Sequence, residues 1–226
     1  MNMVSVNRAD ATVKGSRRYD SPGRRSRAER TRLAVIAAAR QRFLQVGYAA
    51  TTLTDVAKAA DVSPETIYKT FRTKAGLLRA VREVALAGAG PAPAQRRSDA
   101  ALESLADPRD VLTAWSRLAC EVAPRVAPIL LLVRAAAAAD PELVALDREL
   151  DQSRLGRSTQ LAAELHRRGH VRPGLTIGQV RDVLYTFTSP ELFHVLIEDR
   201  GWPIEDFGRF LADGMIAAIL PIESPR

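Results

Sequence analysis

Two helix-start signals, eleven residues apart, constrain the fold of this chain more than any other feature of its sequence. Thr52, with Asp55 three positions later, has the spacing at which a hydroxyl and a carboxylate cap the first turn of a helix. Ser63 is a second N-cap, and the proline after it presets the backbone of a first turn. Between them Asp61 suits a tight turn, because aspartate tolerates a left-handed backbone. The spacing predicts two short helices joined by a turn, the second over Pro64–Phe71.

A longer amphipathic helix precedes these two. Over Ser26–Val46, apolar residues recur three and four positions apart and line one face of a helix, which Gly47 ends. The residues of that face are Leu33, Ile36, Ala39, Phe43 and Val46. In the last short helix, Ile67 and Phe71 have the spacing of core residues. A long helix followed by two short ones around a tight turn is a helix-turn-helix.

Charge is divided unevenly along the 226 residues. Residues 1–82 hold 17 lysines and arginines against 6 aspartates and glutamates, whereas residues 83–226 hold 16 against 20. A basic segment joined to a mildly acidic body suggests that the first part binds a polyanion. The alternative is that the surface charge serves only solubility.

Residues 1–25 have no hydrophobic period and are predicted to form a disordered basic arm. Its cationic residues are Arg8, Lys14, Arg17, Arg18, Arg24 and Arg25. Such an arm either reaches phosphates or an adjacent minor groove, as in other helix-turn-helix proteins, or stays disordered. We expect weak, sequence-independent assistance to binding.

The remaining sequence is predicted to be helical throughout. A fourth helix runs from Thr73 to about Leu86, and a break containing four Gly and Pro residues and the polar segment 95–99 follows it. Asp-Pro pairs at 107–108 and 140–141 start two further helices, the second ending near Gly169. Pro124 and Pro128 bracket the change into an apolar helix over Ile129–Ala139. The last two helices cover about 177–199 and 203–220.

The segment Gly47–Leu78 resembles the N-terminal domain of the tetracycline-repressor (TetR) family. The resemblance lies in the Val-Ser before the third helix, the Ile-Tyr within it and the Phe-x-x-Lys after it. Asp61 stands where the family usually has glycine. The segments 182–192 and 200–202 resemble the C-terminal region of one TetR subgroup. The resemblance implies an all-α fold of about nine helices, with a DNA-binding domain over 26–86 and an effector-binding and dimerisation domain over 100–222.

The third helix of a helix-turn-helix lies in the major groove, with its N-terminal residues nearest the base edges. The base-reading candidates are Ser63, Glu65, Thr66 and Lys69. By resemblance, the DNA backbone is contacted by Thr52, Thr54, Tyr68, Thr70 and Lys74. Each has an alternative: Tyr68 packs against Phe43 or Phe71, Thr52 serves only as a cap, and the two lysines are solvated surface charges.

The resemblance also implies a homodimer, built on the last two helices, and a cavity for a small-molecule effector. The apolar residues assigned to the C-terminal helices are Val183, Leu184, Phe187, Phe193, Leu196, Phe207, Leu211, Met215 and Ile219; in the alternative they form intrachain core. The candidate ligand-binding residues are Trp115, Cys120, Leu131, Arg134, Tyr185, Phe187 and His194, again with plain core as the alternative. A charge such as Arg134 needs a carboxylate partner, an acidic effector or exposure.

Other classes of protein find little support. No nucleophile elbow, P-loop or dinucleotide fingerprint is present, and His166 and His170 have no obvious third metal ligand. The single cysteine and the lack of a long apolar run favour a cytoplasmic protein that does not enter a membrane. We therefore expect no catalytic residue, metal or cofactor. The sequence predicts a DNA-binding regulator, a repressor that a small molecule releases from a palindromic operator; the alternative is a helical protein-interaction module.

Overall fold

The computed structural model describes residues 21–88 and 92–222, and all regular secondary structure within these ranges is helical. This confirms the predicted all-α class. The predicted basic arm up to residue 20, as well as Gly90 and Pro91 of the predicted break, lies outside the described residues. No helix in the described ranges is both long and apolar enough to cross a bilayer.

Ten α-helices follow one another in these ranges. They are α1 (Ser21–Ala50), α2 (Leu53–Ala59), α3 (Pro64–Phe71), α4 (Lys74–Ala87), α5 (Ala94–Ser104), α6 (Pro108–Ala137), α7 (Pro141–Arg167), α8 (Ile177–Phe187), α9 (Pro190–Phe193) and α10 (Ile204–Ile219). A π-helical segment, His194–Asp199, continues α9 directly.

Helix α1 begins five residues before its predicted start, so Arg24 and Arg25 belong to this helix and not to the arm. Gly47, which was predicted to end the helix, kinks it with a left-handed φ of 82°, and helical structure continues to Ala50. Ile36, Ala39 and Phe43 are buried, but Leu33 and Val46 are 44% and 45% exposed. The buried part of the predicted apolar face is therefore its middle, because a period of 3.6 residues turns the two ends of so long a stripe around the helix.

The predicted boundaries in the second part need three corrections. The polar segment 95–99 lies within α5, not in a loop. Helix α6 runs through Pro124 and Pro128 without a break. Each proline removes one backbone hydrogen bond, but a buried stripe around them, which includes Val126 and Ile129, holds the helix in place. The predicted helix over 177–199 ends at Phe187, because Ser189 caps a new helix that starts with Pro190.

The core of the N-terminal helices extends into the second part. One cluster of buried residues joins α1–α4 to the second half of α6 and the first half of α7, through residues such as Ile129, Val133 and Leu146. A second cluster packs α10 against α6, α7 and α8 around Phe207 and Leu211. Helix α4 therefore links the helix-turn-helix to the α6–α7 pair.

Candidate nucleic-acid interface and ligand cavity

Helix α2 begins at the predicted cap. The hydroxyl of Thr52 accepts a hydrogen bond from the Asp55 amide at 3.1 Å and donates one to the Asp55 carboxylate at 2.7 Å. The second bond, with Arg42 3.7 Å from the same carboxylate, keeps the pKa of Asp55 below its usual range. The carboxylate is therefore ionised at the first turn of α2, where a negative charge is favourable.

The turn before α3 has the predicted left-handed residue. Asp61 has a φ of 52°, and the next amide, that of Val62, donates to the Ala57 carbonyl at 3.0 Å. Ser63 then caps α3 by accepting from the Thr66 amide at 3.4 Å, and its hydroxyl lies 3.2 Å from that of Thr66. These bonds end α2 at the turn and fix the residue at which α3 starts.

Helix α3 presents a polar face to solvent. Ile67 is fully buried and Phe71 is 8% exposed, which confirms both as core, whereas Tyr68 between them is 56% exposed. Tyr68 therefore does not pack into the core; the aromatic partner of Phe43 is Tyr48. The face around it, here called the α3 face, consists of Ser63, Glu65, Tyr68, Lys69 and Thr70, all exposed, with Thr66 half-buried beside it. Thr52 and Thr54 of α2 are also exposed.

The side chains of the α3 face differ in how far they are already engaged. Thr70 donates to the Thr66 carbonyl at 2.8 Å. Glu65 accepts from its own amide and from Ser63, and these bonds lower its pKa. Within the described residues, Tyr68 and Lys69 make no side-chain hydrogen bond or ion pair. These two are therefore the groups on α3 that are most available to a partner.

Lys74, a predicted DNA-backbone contact, has a structural role at the start of α4. Its ammonium donates to the carbonyls of Tyr48 and Thr51 at 2.9 and 3.1 Å and lies 4.1 Å from the centre of the Tyr48 ring. Burial raises the pKa of Tyr48 to about 12. Lys74 thus holds the end of α1 against α4, and one of its three ammonium hydrogens remains for a phosphate.

A cavity of about 170 Å³ lies between α4, α5, α6, α7, α9 and α10. Most of its wall is apolar, from residues such as Val122, Val126, Leu130, Phe193 and Phe207. Its polar lining comprises Arg82, Ser98, Trp115, Ser153, Arg154, Arg157, Ser158, Thr188 and Ser189. An apolar chamber with a few polar groups is the usual form of a small-molecule site.

Two arginines of the lining are poorly solvated. Arg82 reaches Ser153 at 3.4 Å, while its Nε is buried without an acceptor among the described residues. Arg154 donates to the carbonyls of Tyr185 and Thr188 at 3.2 and 3.4 Å. Burial lowers the pKa of both arginines, although an arginine in a protein keeps its charge. The third, Arg157, is paired with Asp99 at 2.7 Å.

Of the seven residues predicted to bind a ligand, Trp115 lines this cavity and the other six do not. Cys120 bonds the Ile204 carbonyl of α10, and Phe187 contacts Phe210 of the same helix. Arg134 is 43% exposed and is paired with Asp147, Asp151 and Glu191. Of the three explanations given for its charge, a carboxylate partner and exposure therefore both apply. Tyr185 lies under Arg154, 4.2 Å from ring centre to guanidinium. His194 is exposed beside Asp199, and Leu131 is half-buried on α6.

The sequence does contain a signal for Arg82 and Arg154. Arg82 lies four residues after Leu78 and three before Ala85, both buried, and Arg154 lies four residues after the buried Leu150. Each arginine therefore occupies a core-facing position of its helix. A cation at such a position requires a compensating group, which distinguishes it from a solvated surface charge.

Comparison with known proteins agrees with this description. Residues 35–81 match the family model of bacterial regulatory proteins, tetR family. No curated protein matches the chain. Among solved structures, NalD of Pseudomonas aeruginosa, the secondary repressor of the MexAB-OprM multidrug efflux pump, is 22% identical, with 85% of this chain and 98% of NalD covered and a TM-score of 0.62.

Two further structures have similar scores. The fatty acid degradation regulator FadR of Bacillus halodurans is 18% identical, with 82% of this chain and 94% of FadR covered and a TM-score of 0.66. A protein of Saccharomonospora viridis, solved in complex with choline, is 19% identical, with 86% and 100% covered and a TM-score of 0.66. At these identities the similarity establishes the fold of the chain.

Proposed function

We propose that this chain, which belongs to the TetR family of bacterial regulatory proteins, is a homodimeric transcriptional repressor that binds a palindromic operator and is released from it by a small molecule. In this proposal residues 26–86 bind DNA and residues 100–222 hold the effector and form the dimer. The effector occupies the cavity that Trp115, Arg82 and Arg154 line.

The observation that carries the proposal is the α3 face. A 56% exposed tyrosine and an unpaired lysine project from a short helix whose opposite side is buried. The tyrosine hydroxyl and the ammonium group are both free to bind a partner, and both are groups that contact a phosphate backbone or a base edge. Glu65, kept ionised at the start of the helix, can accept from a cytosine amino group.

An exposed apolar surface on α8 and α10 supports the dimer. Trp202 and Phe210 are 38% and 39% exposed and contact each other edge to face, and Phe210 also contacts Phe187. Ile177, the first residue of α8, and Val195 of the π-helical segment are also exposed. Of the nine apolar residues that the sequence assigned to the C-terminal helices, six are buried within the chain. The exposed aromatic surface around Trp202 and Phe210 is therefore what remains to pack against a second copy. To read one palindrome, the two copies must hold their α3 helices about 34–36 Å apart.

Helix α4 provides the physical connection between effector and operator. Its first residue, Lys74, is bonded to the end of α1, and Arg82 two turns later lines the cavity. A ligand held between α4 and α7 shifts α4 and, with it, the α3 face. Release requires that the ligand bind the conformation with low DNA affinity more tightly than the other.

The test begins with selection of DNA from a random library by the purified protein. We expect the selected sites to be palindromes with half-sites one helical turn apart. Fluorescence anisotropy then measures affinity as a function of salt for the wild type, Tyr68→Ala and Lys69→Ala. Lys69→Ala is expected to weaken binding about tenfold and to reduce the salt slope by about one, because one cation fewer neutralises a phosphate. Tyr68→Ala is expected to weaken binding with the salt slope unchanged, because tyrosine is uncharged.

Arg148→Ala is the matched control, because Arg148 is likewise exposed and without an ion pair among the described residues but lies on α7. It is expected to leave the affinity unchanged. If selection yields no palindrome, and the Lys69 and Arg148 variants weaken DNA binding equally, the interaction is general charge attraction. The chain would then be better described as a helical protein-interaction module.

A further inference from the structure

We propose that the ligand of the cavity is a small amphipathic carboxylate, whose anionic group binds between Arg82 of α4 and Arg154 of α7. This inference rests on the proposed function, in which the cavity is the effector site. It concerns the chemical class of the effector, which the fold alone does not define.

The first argument is that Arg82 is desolvated without an ion pair among the described residues, since Glu83 and Glu149 act on its charge only through space. Among the described residues it has no ion pair, its Nε has no acceptor, and its one side-chain bond is the 3.4 Å contact with the Ser153 hydroxyl. Arg79, one turn earlier on the same helix, is exposed and bound to Glu149 through three hydrogen bonds of 2.6–3.2 Å. Because a desolvated guanidinium without an anion is costly, the cavity favours a ligand that supplies one.

The second argument is that Arg154 is only partly neutralised. Its nearest carboxylate, Asp151, lies 3.7 Å away and also contacts Arg134 and the Tyr185 hydroxyl. The two backbone carbonyls that accept from Arg154 fix its position but carry no net charge. Arg154 and Arg82 both line the same cavity, with Ser153 between them in the wall, and the positive charge of Arg154 adds to the effect of burial in lowering the pKa of Arg82. A carboxylate between them relieves this repulsion and accepts from both.

The third argument is the composition of the remaining wall. Beyond the arginines, the chamber is bounded by Val126, Leu130, Phe193 and Phe207, which suit an aliphatic chain or a ring. At about 170 Å³ it exceeds the roughly 150 Å³ of an engineered cavity that binds benzene. The buried Trp115 indole N–H has no acceptor among the described residues, so it offers a further donor to an oxygen on the ligand body.

The experiment compares three probes with the same eight-carbon chain: octanoate, 1-octanol and octylammonium. Isothermal titration calorimetry of the DNA-free protein measures each dissociation constant. We expect octanoate to bind about tenfold to a hundredfold more tightly than octanol, as bonds to a charged group imply, and octylammonium to bind weakest. The same three probes are then added to the protein–operator complex, where octanoate is expected to release DNA at the lowest concentration.

Variants on α4 test whether the carboxylate of the ligand binds at Arg82. Arg82→Gln is expected to lose the preference for octanoate over octanol, while Arg82→Lys keeps the charge and recovers part of it. Arg79→Gln, which removes the same charge from the same helix outside the cavity, is expected to keep the full preference. Arg82→Gln is also expected to leave the melting temperature of the ligand-free protein unchanged or higher, because it removes an unpaired charge.

Two results would overturn the inference. The first is that octanol or octylammonium binds as tightly as octanoate. The second is that Arg82→Gln and Arg79→Gln weaken the binding of octanoate equally. Neither depends on DNA. If the protein instead prefers octanoate through Arg82 but selects no operator, the proposed function fails while the assignment of the ligand class stands.

Discussion

The close approach of α3 to α4 makes Gly76 a position at which alanine is expected to destabilise the fold. A Cβ at Gly76 would lie 2.3 Å from the Phe71 carbonyl oxygen, a backbone atom at the end of α3 that cannot rotate away. Replacing a helical glycine gains at most about 1 kcal/mol. Forcing an extra methyl group into a packed site costs about 1–3 kcal/mol, and contact with backbone places this site at the upper end. The net loss is then about 1–2 kcal/mol.

Gly156→Ala is the matched control, because it makes the same substitution in the exposed middle of α7, where a Cβ meets nothing within 4 Å. It is expected to stabilise the protein by about 1 kcal/mol. Urea denaturation followed by circular dichroism measures both variants against the wild type. The loss of about 1–2 kcal/mol expected for Gly76→Ala lowers the melting temperature by about 2–8 °C in a chain of this length. If Gly76→Ala were as stabilising as Gly156→Ala, the argument from close packing would be refuted.

Two further predictions concern the dimer and the response to acid. Phe210→Glu places a charge in the exposed aromatic surface and is expected to shift the protein from dimer to monomer in light scattering, whereas Ile222→Glu, at an 83% exposed position, is expected to leave the dimer intact. Arg167 and Arg168 hydrogen-bond to Glu164 and lower its pKa from 4.5 to about 2. The carboxylate is thus charged more readily in the folded state, so its contribution to stability is complete above about pH 4.5 and is lost as the pH falls towards 2. Glu164→Gln is expected to flatten the dependence of urea stability on pH in that window; an unchanged slope would contradict it.

The predictions that succeeded depend on neighbours in sequence. The caps at Thr52 and Ser63, and the left-handed Asp61, involve atoms within one helical turn, so the residue types alone were sufficient. The predicted break at Pro124 and Pro128 was wrong for the opposite reason. Proline disfavours a helix interior locally, but packing of the surrounding helices outweighs that preference in α6.

The structural role of Lys74 could not be predicted from its neighbours in sequence. Its contact with DNA, which the resemblance implies, stays a prediction, whereas the folded chain brings the Tyr48 and Thr51 carbonyls to its ammonium from the end of α1. Those acceptors are 26 and 23 residues away in sequence. No spacing rule connects partners that only the packing of α1 against α4 brings together.

The sequence by itself determined the all-helical class, the helix-turn-helix and the polar side of α3, because capping bonds and helical periodicity act over a few residues. Only the tertiary structure decided which side chains meet in the cavity. Arg82 and Arg154 are 72 residues apart in the chain, and the chamber beside them exists because six helices pack without filling it. The chamber is positively charged because the fold pairs nearby carboxylates with other arginines: Glu149 binds Arg79, and Asp151 is shared with Arg134. That arrangement is a property of packing, which residue types and spacing do not specify.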